Sequence, residues 1–201
     1  RALGAAARRP YFSLSIGVVG VVVSDPDGRL QIFLLNVGQG DTALVVSPQG
    51  AVIVIDVIRP RKLGRLLTDL GLSVGDAIEH LVITHPHRDH YGGASALAGS
   101  FRVQEASLAP FWHQSGMGPP TYQSLVARLE EGNTACRFLS GYSRWFPDRL
   151  MVGGASGSAS SNPSAPVLEL LGPSNALVGQ LERSGRFDTN HLSLMCRLSW
   201  R

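Results

Sequence analysis

Three short apolar runs, 30–36, 42–47 and 51–56, follow one another with small polar interruptions, and each has the length of a strand. Pro48-Gln49-Gly50 separates the last two and reads as the turn of a hairpin. The period then changes. Between Lys62 and Leu72, Leu63, Leu66, Leu67 and Leu70 recur at helical spacing, which predicts an amphipathic helix whose leucine stripe faces the core. Ala77 to Thr84 is apolar enough for a buried strand, and Ala94 to Gly99 begins a helix. Phe101 to Ala109 reads as a strand, and Phe111 to Pro120 as a loop placed to act as a lid, with His113 on it as a loop histidine. Thr121 is a candidate cap for a helix running to about Glu131, and 135–140 and 149–152 are strand candidates. Met151 to Pro166 carries Gly, Ser, Ala and Pro without periodicity, which predicts a flexible loop inside the domain.

Composition adds limits to this pattern. A chain of 201 residues with 44% hydrophobic and 16% charged residues is one folded domain with a sizeable core, not a disordered chain. The net charge of +3 is compatible with a polyanionic substrate without pointing to one. Cys136 and Cys196 stand far apart in unrelated contexts, so they form no zinc knuckle and read as reduced. Gly38-Gln39-Gly40 makes a tight turn but lacks the further glycine and the helix that dinucleotide binding needs.

The chemistry concentrates after the fourth apolar run. Within Thr84-His85-Pro86-His87-Arg88-Asp89-His90-Tyr91-Gly92-Gly93 stand three of the six histidines and an aspartate. If the chain stays extended past Thr84, residues 85, 87 and 89 face one side, and His90 follows as the chain turns. Imidazoles with a carboxylate suit zinc or manganese. Four such side chains crowd a single ion, so the pairs His85 with His87 and Asp89 with His90 predict two neighbouring ions, with Asp89 also orienting the attacking water.

This string resembles the His-x-His-x-Asp-His signature of the metallo-β-lactamase superfamily. Upstream, Leu30 to Gly50 and the strand Ala51 to Asp56 resemble the opening of its ComEC-type competence branch, and the later segments Val167–Pro173 and Asn190–Leu198 resemble that branch's late strands. The resemblance covers most of 28–201 and implies an α/β fold, an αββα sandwich with a dinuclear site at one edge. It implies a metal-dependent hydrolase, a phosphodiesterase or nuclease domain of a DNA-uptake protein, with two divalent ions held by His85, His87, Asp89 and His90. Asp56 would stand behind these ligands, or it is a strand-end aspartate capping a turn; Asp41, just after the Gly38–Gly40 turn, reads as a buttress of the metal loop or equally as a turn residue. His191 lies near a further histidine ligand of the wider superfamily, but the closer branch has Asn there, and it reads more readily as a histidine at a strand start.

The chain also departs from that pattern. Asn36 replaces the usual aspartate. No glycine follows Asp56; Arg59, Arg61, Lys62 and Arg65 gather there instead. Such a patch would suit phosphate backbones, with Arg59 and Arg61 as substrate contacts, or it is a solvated helix face. The family's later Thr-Gly-Asp and His-His-Gly steps do not occur before Arg201, so the sandwich reads as incomplete, with its C-terminal part missing. At the other end, residues 1–27 hold Arg8-Arg9 and an apolar run from Tyr11 to Val23, too short to span a bilayer alone. A membrane-helix remnant, a signal peptide and an ordinary strand compete there. The resemblance favours the remnant, with DNA and membrane as partners and the domain on the extracytoplasmic side; a stand-alone exported hydrolase of small phosphoesters, lactams or thioesters and a non-catalytic channel module are the alternatives. No protein partner is assignable.

Overall fold

The computed structural model describes residues 14–16, 29–110, 120–145, 166–184 and 193–199. Among these residues, ten strands and five helices follow in order: β1 (Leu14–Ile16), β2 (Gln31–Leu34), β3 (Ala43–Val46), β4 (Val52–Ile55), α1 (Pro60–Asp69), β5 (Ala77–Ile83), α2 (Arg88–Tyr91), α3 (Ala94–Ser100), β6 (Arg102–Leu108), α4 (Pro120–Glu131), β7 (Ala135–Phe138), β8 (Tyr142–Trp145), β9 (Val167–Leu171), α5 (Asn175–Ser184) and β10 (Met195–Ser199). Strands β1 to β7 form one mixed sheet in sequence order, and β10, β9 and β8 form a second. The meander β2–β3–β4 is antiparallel because short turns join it. From β4 onward the pairing is parallel, because α1, α3 and α4 carry the chain back across one face.

The strand alternation divides the core. One face of the large sheet, with Leu44, Val54, Leu81 and Leu108, packs under Leu63, Leu67, Leu97, Leu125 and Leu129 of the helices. The other face, with Val45, Ile53 and Val82, meets Leu168 and Leu170 of the small sheet. Both faces of β4 and β5 are therefore covered, which is why β4 reads as an unbroken apolar run and β5 is apolar apart from Glu79 and His80. The helix layer and the two sheets agree with the expected α/β sandwich.

The element limits differ from expectation in instructive ways. The helix expected over 62–72 occupies Pro60–Asp69. Proline at its first position supplies the helical φ in advance, and Gly71 stops it in the left-handed region at φ 95°. Thr121 lies inside α4 and does not cap it; its hydroxyl is 2.6 Å from the Tyr91 hydroxyl. Strand β8 and helix α5 are not among the elements expected from the sequence. The strand expected at 149–152, the loop over 151–166, the lid with His113 and His191 lie outside the described residues, as does the apolar N-terminal run except for β1. No helix among the described residues is long and apolar enough to cross a membrane.

Candidate metal centre

Parallel register builds the site. Ile53 pairs with His80 and Ile55 with Val82, so Asp56 leaves β4 beside the end of β5 and donates its N–H to the Val82 carbonyl at 2.8 Å. Asp56 takes φ 55°, unusual for a residue with a side chain, and is 2% exposed. Its carboxylate accepts three hydrogen bonds: from the Thr84 backbone N–H at 2.8 Å, the Thr84 hydroxyl at 2.6 Å and His90 Nδ1 at 2.7 Å. A carboxylate cannot donate, so His90 Nδ1 carries the proton, and in the neutral ring Nε2 keeps its lone pair for a ligand.

Past Thr84 the chain does not stay extended to residue 89. His87 ends the extended stretch at ψ 145°, and α2 starts at Arg88. His90 and Tyr91 donate their N–H groups to the His87 carbonyl at 2.9 and 3.2 Å. Asp89 therefore reaches the histidines from a helical turn, a correction to the expected alternation. The ligand atoms of His85, His87 and Asp89 all lie within 4.8 Å of one another. Three donors each about 2.1 Å from one tetrahedral ion stand roughly 3.4 Å apart, so side-chain motion on the order of 1 Å seats a cation. Two imidazoles and a carboxylate suit zinc, iron and manganese, and the donor set fits a divalent ion.

The grouping also differs from the expected pairs. Asp89 clusters with His85 and His87, while the ring of His90 sits 3.7 Å from that of His85 and is held from behind by Asp56. Burial opposes the charge on His90, but the hydrogen bond and charge of Asp56, with Asp89 and Asp41, raise its pKa above the ordinary value. Burial, then the neighbouring His90 and His87, lower that of His85. Its ring is thus the readier to present a neutral nitrogen.

The buttress of this loop is Gly40, not Asp41. Gly40 has φ 96°, and a Cβ there would lie 2.1 Å from the Asp89 carbonyl oxygen. Asp41 is exposed and acts on His90 through its charge alone. A third loop closes the arrangement. The Val57 N–H donates to the His90 carbonyl at 2.6 Å, Gly93 N–H to the Val57 carbonyl at 2.7 Å, and Ile58 N–H to the Thr42 hydroxyl at 3.2 Å. A Cβ on Gly93 would meet Pro60 Cδ at 2.6 Å, so this close approach requires glycine. Thr84 and Gly40 escaped the sequence reading. The signals for them were a hydroxyl at the strand end and a glycine beside the first loop.

Such a cluster at the carboxyl end of β5, behind an aspartate on β4, is matched by the family model described as "Metallo-beta-lactamase superfamily" over residues 35–177. The chain belongs to the metallo-β-lactamase superfamily. It is also 34% identical over 99 residues to a protein of Cupriavidus metallidurans named "UPF0173 metal-dependent hydrolase". That match covers 48% of this chain and 30% of the relative, so the chain spans less than two thirds of the relative's length. The superfamily membership and the His/His/Asp cluster together mark a metal-dependent hydrolase domain.

The basic residues lie next door. Asn36, Val37, Ile58, Arg59, Arg61, Lys62 and Arg65 line a cleft of about 730 Å³ at the start of α1. Arg59 Nε donates to the Val37 carbonyl at 3.3 Å, and Lys62 Nζ to the Asn36 carbonyl at 2.7 Å. These two cations tie down the loop that carries Gly40. The Asn36 side chain accepts from the Gly38 N–H at 3.4 Å and so shapes that same turn. The cysteines are unpaired with each other; burial first raises Cys136 to about 11 and Cys196 to about 12, which leaves both as unreactive thiols.

Proposed function

We propose that this domain hydrolyses phosphodiester bonds of DNA with two divalent ions, zinc or manganese, as the nuclease domain of a ComEC-type uptake protein. The observation that carries the reading is the pairing of a His/His/Asp cluster with a basic cleft across one shared set of loops. When bound, the cations lower the pKa of an attacking water and stabilise charge on the departing oxygen. His85, His87 and Asp89 would hold the ions, and His90 would present Nε2 because Asp56 occupies its Nδ1–H. The Asp89 carboxylate takes a hydrogen bond from the water and lines it up with phosphorus. Water adds to phosphorus, the P–O bond opposite breaks, and the leaving oxygen ends protonated. The exposed Arg61 on the neighbouring cleft supports a contact to a phosphate outside the reacting one, and Arg59, tied to the Val37 carbonyl, supports the wall of that cleft. A membrane-attached, extracytoplasmic setting suits this role, and an exported enzyme is its alternative.

The test is cleavage of linear DNA with manganese or zinc, alongside His87→Ala and Asp89→Ala. Both substitutions are expected to abolish metal-dependent cleavage, and activity retained in both would overturn the reading. Turnover of small phosphoesters, lactams or thioesters without DNA cleavage would transfer the same site to small substrates; the superfamily fold does not fix the substrate. Failure to bind metal at saturation would instead favour a non-catalytic module.

A further inference from the structure

The start of α1 is built against its own electrostatics. Arg59 precedes the helix, Arg61 and Lys62 lie in its first turn, no acidic residue stands there, and no side chain caps it. A helix N-terminus is the positive end of the macrodipole, so cations there repel it and an anion is favoured. The arrangement is also without counter-charge. None of the four cations pairs with a carboxylate among the described residues, although Asp69 lines the same cleft. Two of the four have structural work: Arg59 and Lys62 donate to the Val37 and Asn36 carbonyls. Arg61 and Arg65 do not. They are exposed, their side chains make no hydrogen bond or ion pair among the described residues, and they stand four apart on one helix face. The cleft of about 730 Å³ holds more than a single small anion.

We propose that this cleft is a backbone-binding subsite distinct from the metal centre, in which Arg61 and Arg65 hold a non-reacting phosphate of a nucleic-acid strand. Arg59 and Lys62 are positioning residues that keep its wall in place. The choice of ligand rests on the phosphodiesterase reading. Asn36 and Val37 line the cleft, and Gly40 of the same loop abuts the Asp89 backbone, so one loop touches both the cleft and the cluster.

Binding of a labelled single-stranded DNA oligonucleotide to the full chain in excess EDTA, followed by fluorescence polarisation over a range of salt, tests this without turnover. The variant Arg61→Ala/Arg65→Ala is compared with Arg128→Ala, which removes a cation from α4 paired with Glu131 at 3.8 Å, away from the cleft. The double variant is expected to bind about tenfold more weakly or worse, and its log–log salt slope to fall by about 1.4, two contacts at roughly 0.7 each. Arg128→Ala is expected to match the wild type. Unchanged affinity and slope in the double variant, with its thermal midpoint preserved, overturn the subsite. Inorganic phosphate is expected to compete far less well than unlabelled oligonucleotide at equal phosphate concentration. Equal competition identifies a single-anion pocket and overturns the strand assignment. Cleavage with unchanged binding in the double variant sinks this inference alone. Binding lost in that variant, with no cleavage by metal-loaded wild type, sinks only the phosphodiesterase reading.

Discussion

Asp56 carries three hydrogen bonds while 2% exposed, so its removal strands the Thr84 N–H and the His90 Nδ1–H in the interior. Each orphaned buried donor costs about 1–3 kcal/mol. Asp56→Ala is therefore expected to lower stability by several kcal/mol and to weaken metal binding roughly 10–100-fold, because His90 loses its orientation. Thermal unfolding and metal titration check both, and a variant that binds metal as the wild type does would remove Asp56 from the site. A glycine pair gives a sharper contrast. Gly38 has φ 82°, and a Cβ added to it would meet nothing within 4 Å, whereas Gly40 has φ 96° and the Asp89 carbonyl in the way. Gly38→Ala is expected to cost about 1 kcal/mol, the left-handed penalty alone. Gly40→Ala should in addition displace Asp89 and cut metal affinity; equal affinity in the two variants would refute its role as a buttress.

At the scale of elements, α1 shows opposed demands of stability and binding. Leu63, Leu66 and Leu67 are buried, each stabilising the fold by about 1.5–3 kcal/mol, and this burial sustains a helix whose first turn is electrostatically wrong. Arg61→Glu removes a repelling charge and adds an attracting one at the N-terminus. It is expected to raise stability by about 0.5–1 kcal/mol, read as a higher unfolding midpoint, while weakening oligonucleotide binding. A lower midpoint would show that Arg61 has a structural partner the helix needs. The leucine stripe made α1 legible in the sequence, but its start depended on Pro60 and its end on Gly71, local punctuation that periodicity does not measure.

On the scale of the whole molecule, the contact between the two sheets contains a buried titratable group. His80 is 3% exposed on β5, its Nε2 2.9 Å from the Ser107 hydroxyl and its ring 4.7 Å from that of Trp145. Burial, then the charge of Arg137, lowers its pKa to about 4 from 6.5. The half-exposed Glu105 carboxylate, 3.8 Å from Nδ1, does not offset the burial. Between these pH values the unfolded chain binds a proton that the folded one refuses, so stability falls as pH drops below about 6.5 and levels out below about 4. The contribution is about 2 kcal/mol at pH 5. His80→Gln is expected to flatten the loss of unfolding midpoint between pH 7 and pH 5. The wild-type slope also contains His85 and His90, so the difference between the two proteins is the measurement that matters; an identical slope would mean that His80 titrates normally.

The sequence by itself determined the order of strands and longer helices from residue 30 to residue 138, without the one-turn α2, and singled out His85, His87, Asp89 and His90 as candidate ligands, because apolar period and ligand type are properties of neighbours along the chain. It also marked Arg59, Arg61, Lys62 and Arg65 as a group. It left β8 and α5 unread: β8 is only four residues long with its tyrosine exposed, and α5 follows the long stretch without periodicity. Only the tertiary structure decided which of these side chains cluster. The one-turn helix α2 carries Asp89 to His85 and His87, and the parallel register of β4 with β5 brings Asp56 behind His90 across 34 residues of chain. Only folding, too, separated the four basic residues lining the cleft into two that tether a loop, Arg59 and Lys62, and two that do not, Arg61 and Arg65. Hydrogen-bond partners distant in sequence are chosen by strand register and close backbone approach, and neither leaves a local pattern to read.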